Sequence, residues 1–540
     1  MSSPMRTSFD NKRVFGALPG TESGGRRGAQ PYSWRKCFLC ALICLVWLGF
    51  GLIGRDPWKP SEPDWVVLIA DMLDAPSFEN APAAAQPPPL VSGYPILAAF
   101  FARILLPWLE IHEGARMLNV LLLAGGLLLI GGAVGRSRAG WMAALLAAGT
   151  TGFLVRAHLL NLAVPSFFGM ALLLWGAVLL RRNALVGGAA VGGALGFLCL
   201  FAVPTTAVAG GLGLLATMGR KDWRLPSVAA GLPIALVFFA PCLLFLQAHA
   251  NVGVIAWLGQ SFMPSISAET PANTLRIALW ALFPILPIAA VALWQHRRAF
   301  WVAPVNGLCV MLVMAAVVHF LLYGNQEEDF FFLLPPLSVL AAWGIFRLPD
   351  SYAAILDWFA LGVVGLCAVG GMWTVWLILQ TATPAILAME IYNRFAFLPM
   401  LEVSWWKIWA AATVTVLWVG LAVNAGRSNE RAVLNWSCGM AVVWCVFNLL
   451  WVKDVDAVKS YRGMAQELAV YAGGDCIMSQ GVDMATLRQL YYFRVPLQEG
   501  GCGYVLRRAE APPQNLGIKV WQGGRYGEKN YVLYKLPPPS

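Results

Sequence analysis

The side chains able to do chemistry gather in one stretch. Between positions 55 and 116 the chain carries Arg55, Asp56, Lys59, Glu62, Asp64, Asp71, Asp74, Glu79, Glu110, His112, Glu113 and Arg116. A carboxylate placed here can serve as general base or orient an acceptor. A basic side chain can hold a phosphate. The segment RDPWKPSEPDW (55–65) sets charges among two tryptophans and three prolines, a stiff shaped turn. Glu62 and Asp64 are the candidate catalytic acids. Asp56, Lys59 and Arg116 are candidate substrate contacts, and His158 joins them from a later segment. Each has an ordinary role beside the chemical one: Glu62 as a turn acid, Asp64 as a helix cap, Asp56 as a turn former before Pro57. Likewise Lys59 can snorkel, Arg116 can anchor to headgroups, and His158 can be a satisfied buried histidine.

The elements that must position them are membrane helices. The chain has 540 residues, 59% hydrophobic and 12% charged, with mean hydropathy +0.65. A soluble domain has roughly twice that share of charge. The composition excludes a soluble enzyme, a nucleic-acid-binding domain and a disordered scaffold. Apolar runs fall near 37–54, 118–135, 139–157, 164–180, 184–202, 204–219, 227–247, 275–294, 300–322, 331–346, 354–379, 405–425 and 432–451. These are about thirteen spans by length. The net charge of +10 therefore bears on orientation in the bilayer. Clusters such as Arg181–Arg182, Arg220–Lys221 and Arg297–Arg298 each follow an even number of crossings. That parity predicts a cytoplasmic N-terminus. Residues 94–109, short and interrupted by Arg103, read as a helix at the outer face. DWVVLIADML (64–73) reads as an amphipathic helix lying on the membrane.

This reading divides the chain into a disordered cytoplasmic tail (1–35), a transmembrane domain (36–452) with a long first outer loop (55–117), and a small outer α/β domain (453–540). In the last, CIMSQ (476–480), YYF (491–493), YVLRR (504–508) and NYVLYKL (530–536) are expected strands, and 457–471 an expected helix. Nine of the 11 cysteines lie in apolar runs as small helix residues. Cys37 and Cys40 have no second pair or histidine cluster to make a zinc site. Cys476 and Cys502 are the two in the outer domain, where an oxidising compartment favours a disulfide. Glu327, Glu328 and Asp329 read as a solvated loop face. The 24 tryptophans read as interface anchors, and glycine runs such as GVVGLCAVGG as close helix packing.

The order of these features resembles the GT-C superfamily of polytopic glycosyltransferases, in its protein-O-mannosyltransferase and aminoarabinose-transferase branch. The local matches are DPWKP-x-E (56–62), the proline run 87–89, Arg116, LLPPLSVLAA (333–342) and SYRGMAQEL with Cys476 and Cys502. The resemblance implies an all-α integral membrane domain with a small C-terminal α/β extracytoplasmic domain, in a bacterial inner membrane. It implies an inverting transferase that moves a sugar from a polyprenyl-phosphate-linked donor to a lipid, glycan or protein acceptor, with no metal. The partners it implies are membrane lipid and the lipid-linked sugar, with room for a membrane protein partner. Family positions are changed: Ser61 stands where the first acid of an Asp-Glu pair belongs. Ala85-Gln86 replaces a Glu-Lys pair, which puts Gln86 among the substrate-contact candidates, and Ala163 replaces an Asp. A catalytically silent protein that binds a lipid-linked sugar, or acts as a partner subunit, therefore stands as the alternative, and a lipid-linked sugar transporter as the third reading.

Overall fold

The structure, a computed structural model, describes residues 34–537 except 59–61, 75–80, 88–91, 136, 250–269, 296, 298–302, 324–326, 349, 396–403, 425–427, 511–516 and 525–529. The apolar runs fold as helices because only a helix satisfies backbone groups within one segment in lipid. Among the described residues, eight helices are long and apolar enough to cross a membrane: Ile111–Val134, Ala163–Leu180, Ala184–Phe201, Pro226–Phe245, Pro304–Tyr323, Ala354–Thr381, Trp405–Asn424 and Asn429–Leu450. A ninth appears if Leu275–Ala281 and Ile285–Gln295, bent by 102°, make one span. The chain is thus a multi-pass membrane protein, but the thirteen expected spans are not thirteen full-length helices. The runs at 37–54, 204–219 and 331–346 give shorter helices, Phe38–Gly49, Pro204–Met218 and Phe330–Ile345. The run 139–157 breaks into Arg138–Ala148 and Thr151–Arg156. The break at Gly149 has a packing reason. A Cβ there would come within 2.7 Å of Ser437 Oγ. Trp436 Nε1 donates to the Gly149 carbonyl at 2.7 Å.

Four helices frame the first loop. They are α1 (Trp34–Gly49), α2 (Glu62–Met72), α3 (Tyr94–Leu105) and α4 (Ile111–Val134). The 12 residues of α3 are too few to cross, at about 1.5 Å each. It buries Tyr94, Pro95, Ala98, Ala99 and Ala102 and exposes Ile96, Phe100 and Arg103. By contrast α2 turns its apolar stripe into the protein. Val66, Val67, Leu68, Ile69 and Ala70 are all buried. The stripe packs inward, with Trp65 edge-on to Tyr94 at 5.8 Å between ring centres.

After the last span, α5 (Asn429–Leu450), the chain forms a C-terminal α/β unit. It contains α6 (Val452–Lys459), α7 (Arg462–Ala472), β1 (Ile477–Gln480), α8 (Met484–Tyr492), β2 (Leu497–Gln498), β3 (Tyr504–Arg508), β4 (Ile518–Gly523) and β5 (Tyr531–Lys535). The sheet order is β2-β1-β3-β5-β4. β1 pairs in parallel with β2 and β3, and β5 pairs antiparallel with β3 and β4. The segment 491–493 ends a helix rather than forming a strand. Asp483 caps that helix by accepting from Thr486 N at 2.9 Å, and Leu487 and Leu490 are buried on one face. The expected helix 457–471 is two helices separated at Ser460. Cys476 and Cys502 are joined by a disulfide, with Cα atoms 4.8 Å apart, at the start of β1 and just before β3.

Candidate functional site

Glu62 opens α2, and its side chain is fully buried. Oε1 accepts from Arg116 Nε (3.0 Å), Leu160 N (3.0 Å) and Arg55 Nη2 (3.4 Å). Oε2 accepts from Trp58 N (2.9 Å), Arg116 Nη2 (3.1 Å) and Arg55 Nη1 (3.2 Å). Burial alone would raise this carboxyl. Arg116 and Arg55, with the hydrogen bond from Trp58, hold it below its ordinary value instead. Burial lowers Arg55 to about 10, so it stays charged at neutral pH. The result is an ionised Arg–Glu–Arg triad. It ties the turn 51–58, the start of α2, the second turn of α4 and the segment at Leu160.

Every guanidinium nitrogen of both arginines is engaged. Arg116 also donates to the carbonyls of Arg55 (2.6 Å) and Asp56 (3.0 Å). Arg55 donates to His158 O (2.8 Å) and Gly51 O (3.2 Å) and stacks on Trp58 at 4.3 Å. Glu62 thus takes six donors on its two oxygens. The donors of Arg116 face Glu62 and backbone carbonyls. His158 is likewise held by the protein. Its ring nitrogens face Leu154 O (2.9 Å) and Trp47 O (2.8 Å), and its ring stacks on Trp444 at 4.5 Å. Burial pushes it down to about 4, so the imidazole is neutral at pH 7.

The other candidates meet the C-terminal unit. Asp56 accepts from Arg462 Nε at 2.7 Å, and Arg462 Nη2 reaches Glu110 at 2.6 Å. Asp64 accepts from Arg488 Nη1 at 2.9 Å. The backbone carbonyl of Gln86 accepts from Arg488 Nε at 2.8 Å, while its amide donates to Ala81 O at 2.9 Å. Gln489 donates to Pro57 O (2.9 Å), Ala83 N donates to Glu499 (2.8 Å), and His112 Nδ1 lies 3.0 Å from Tyr492 Oη. So Asp56 and Asp64 are bound up in a polar seam between the first loop and α7–α8. Lys59 lies outside the described residues, as do the side chains of Glu327, Glu328 and Asp329.

Sequence reasoning passed over Asp456, Arg462 and Arg488. Asp456 lies on α6, and its Oδ1 accepts from Trp58 Nε1 at 2.5 Å. Burial first, and then the charge of Asp56, push this carboxyl up to about 7, against the pull of the Trp58 bond and of Arg55 and Arg116. The one signal available was SYRGMAQEL, whose arginine is Arg462. An apolar groove of about 470 Å³ runs between α1, α4 and the helix Arg138–Ala148, lined by Leu45, Leu48, Leu127, Leu128, Gly131 and Trp141. It begins at Ala124, eight residues or about 12 Å along α4 from Arg116, and is separate from the triad. No group of three or more His, Cys, Asp or Glu side chains able to hold a metal occurs among the described residues.

With helices, triad and seam in place, the fold defines a class: a multi-pass membrane domain carrying a small α/β unit at its C-terminus. The particular likeness is to ArnT from Cupriavidus metallidurans. Its structure bound to undecaprenyl phosphate superposes with TM-score 0.65 at 16% identity, over 93% of this chain and 98% of that one. Its apo structure gives TM-score 0.64 at 16% identity, over 93% and 97%. No family model matches the sequence, and no curated protein matches it.

Proposed function

We propose that the chain is a GT-C-type membrane glycosyltransferase that takes a sugar from a polyprenyl-phosphate-linked donor and places it on an envelope acceptor. The observation that carries this is the tertiary likeness to ArnT along 93% of the chain, one of those structures holding undecaprenyl phosphate. The first-loop turn and the C-terminal unit support it, because they enclose a set of carboxylates and arginines beside the membrane helices. The parity of the basic loops supports a site on the outer face of an inner membrane. Deleting the gene and profiling lipid A and surface glycans by mass spectrometry tests the reading. Loss of one glycosyl mass, with build-up of the lipid-linked donor, is the expected result. An unchanged profile in cells that express the protein refutes it.

A specific observation favours a second reading. The acid retained from the family's pair, Glu62, is saturated by hydrogen bonds, and Ser61, Ala85, Gln86 and Ala163 stand at the other family positions. This describes a silent binder of a lipid-linked sugar. Purified protein that binds undecaprenyl phosphate yet releases none from a sugar-bearing donor would decide for it.

A further inference from the structure

Three spanning helices bring their ends to one boundary, on the face away from the first loop by the parity of the basic clusters. The span Ala163–Leu180 ends at Arg181 and Arg182, Ala184–Phe201 starts just beyond them, and Pro226–Phe245 starts after the turn 219–225. From 163 to 260 the sequence has five cations near these ends, Arg181, Arg182, Arg220, Lys221 and Arg224, and one acid, Asp222. Asp222 is engaged by Arg220, Nε to Oδ1 and Nη2 to Oδ2, both at 3.3 Å. Arg181 crosses to the turn. Its Nη2 donates to Asp222 O at 3.3 Å, its guanidinium lies 5.3 Å from the centre of the Trp223 ring, and its carbonyl accepts from Ser227 Oγ at 3.2 Å. Two neighbouring donors are left over. Arg181 Nε and Trp223 Nε1 are both buried with no acceptor among the described residues, and Trp223 is 1% exposed. Buried donors ordinarily have a partner, so an orphaned pair beside uncompensated positive charge points to an anion.

We infer that this cluster is a binding site for an anionic phospholipid whose headgroup carries two phosphates, a diphosphatidylglycerol. The half-buried Arg181 guanidinium, stacked on Trp223, takes one phosphate and supplies the acceptor that this pair lacks. Arg182, Lys221 and Arg224 are exposed around it and take the other. Four cations outside the Arg220–Asp222 pair match two phosphates better than the single charge of a simpler headgroup. Basic pockets between the ends of membrane helices suit such lipids, because the headgroup phosphates lie at the level where the helices stop. The acyl chains have apolar surface to follow. Leu185 and Val186, just past Arg182 on the span Ala184–Phe201, are exposed. A soluble anion would make no use of them. This site is independent of the glycosyltransferase reading, since none of its residues belongs to the triad or the seam.

The test presents the full chain in detergent with an equal mixture of phosphatidylethanolamine, phosphatidylglycerol and cardiolipin, and reads the retained lipids by native mass spectrometry. Wild-type protein is expected to retain cardiolipin above the other two. Arg181→Gln is expected to lower that retention, and so is the double variant Lys221→Gln with Arg224→Gln, by about five-fold in affinity for each cation removed. The double variant changes exposed side chains, so its thermal melt is expected to match wild-type, which separates lost binding from lost folding. Excess inorganic phosphate is expected to displace no more lipid than chloride at the same ionic strength. Retention of the three lipids in equal amounts by wild-type overturns the inference, as does a double variant that keeps wild-type retention of cardiolipin. Displacement specific to inorganic phosphate assigns the cluster to a soluble anion and overturns the lipid site.

Discussion

Arg116 reaches Glu62 across 54 positions of chain, Nε to Oε1 at 3.0 Å, and both side chains are fully buried. The contact commits the most conspicuous acid of the first loop to a buried ion pair. Two arginines and one carboxylate out of water are costly unless every charge is met, and here Arg55, Trp58 N, Leu160 N and three carbonyls complete the set.

Glu62→Gln should therefore behave as a folding lesion. Removing the carboxylate leaves two buried guanidiniums without a counter-charge, a loss of about 3–5 kcal/mol. Thermal melts in detergent should show a large drop with reduced yield. A variant that melts with wild-type would disprove the triad's structural role. Acid should act in the same direction. The folded carboxyl lies below its ordinary value, so its stabilisation is present above the unfolded value near 4.5 and fades as pH falls through the folded one.

Asp456 carries the opposite sign. Its folded value, about 7, lies above the unfolded 3.8, so the ionised form costs stability at pH 8 and the cost shrinks as pH falls from 7 toward 4. Asp456→Asn should melt above wild-type at pH 8, and by a smaller margin at pH 5. An equal gap at both pH values would contradict the raised carboxyl.

Arg488 holds α2 and the segment 83–86 through Asp64 and the Gln86 carbonyl. Arg488→Ala should increase hydrogen exchange in residues 64–72 and leave the helix 163–180 unchanged. A partly exposed pair contributes at most about 1 kcal/mol, so the effect should be local. The swap Asp64→Arg with Arg488→Asp should restore part of the protection; identical exchange in wild-type and Arg488→Ala would show that the seam does not depend on this pair.

The Cys476–Cys502 bond closes a loop with sequence separation 26 and ties β1 to the entry of β3. By the chain-entropy account it contributes about 3 kcal/mol. The double Cys→Ser variant should be cut within the C-terminal unit by a protease that spares wild-type, while the membrane fragment stays intact. Equal resistance would remove the bond from the unit's stability.

The parity of basic loops predicts that cysteines placed at 220–224 react with membrane-impermeant reagent only after the cell is opened. Labelling in intact cells would invert the topology.

The sequence by itself determined the solvent. A 59% hydrophobic chain with most of its charges outside the apolar runs must place helices in lipid, and the positions of the apolar runs follow from side-chain chemistry alone. It also marked the first loop as the place where ionisable groups collect. Only the tertiary structure decided what those groups do. A carboxylate in a string is the same letter whether it faces solvent or two arginines. Glu62's partners lie 7, 54 and 98 residues away. Asp56, Asp64 and Trp58 find theirs about 400 residues later, on helices that look, residue by residue, like solvated surface. The short helices and the break at Gly149 were hidden for the same reason. Hydropathy measures preference for lipid, whereas the point at which a helix stops depends on what packs against it, here Trp436 and Ser437.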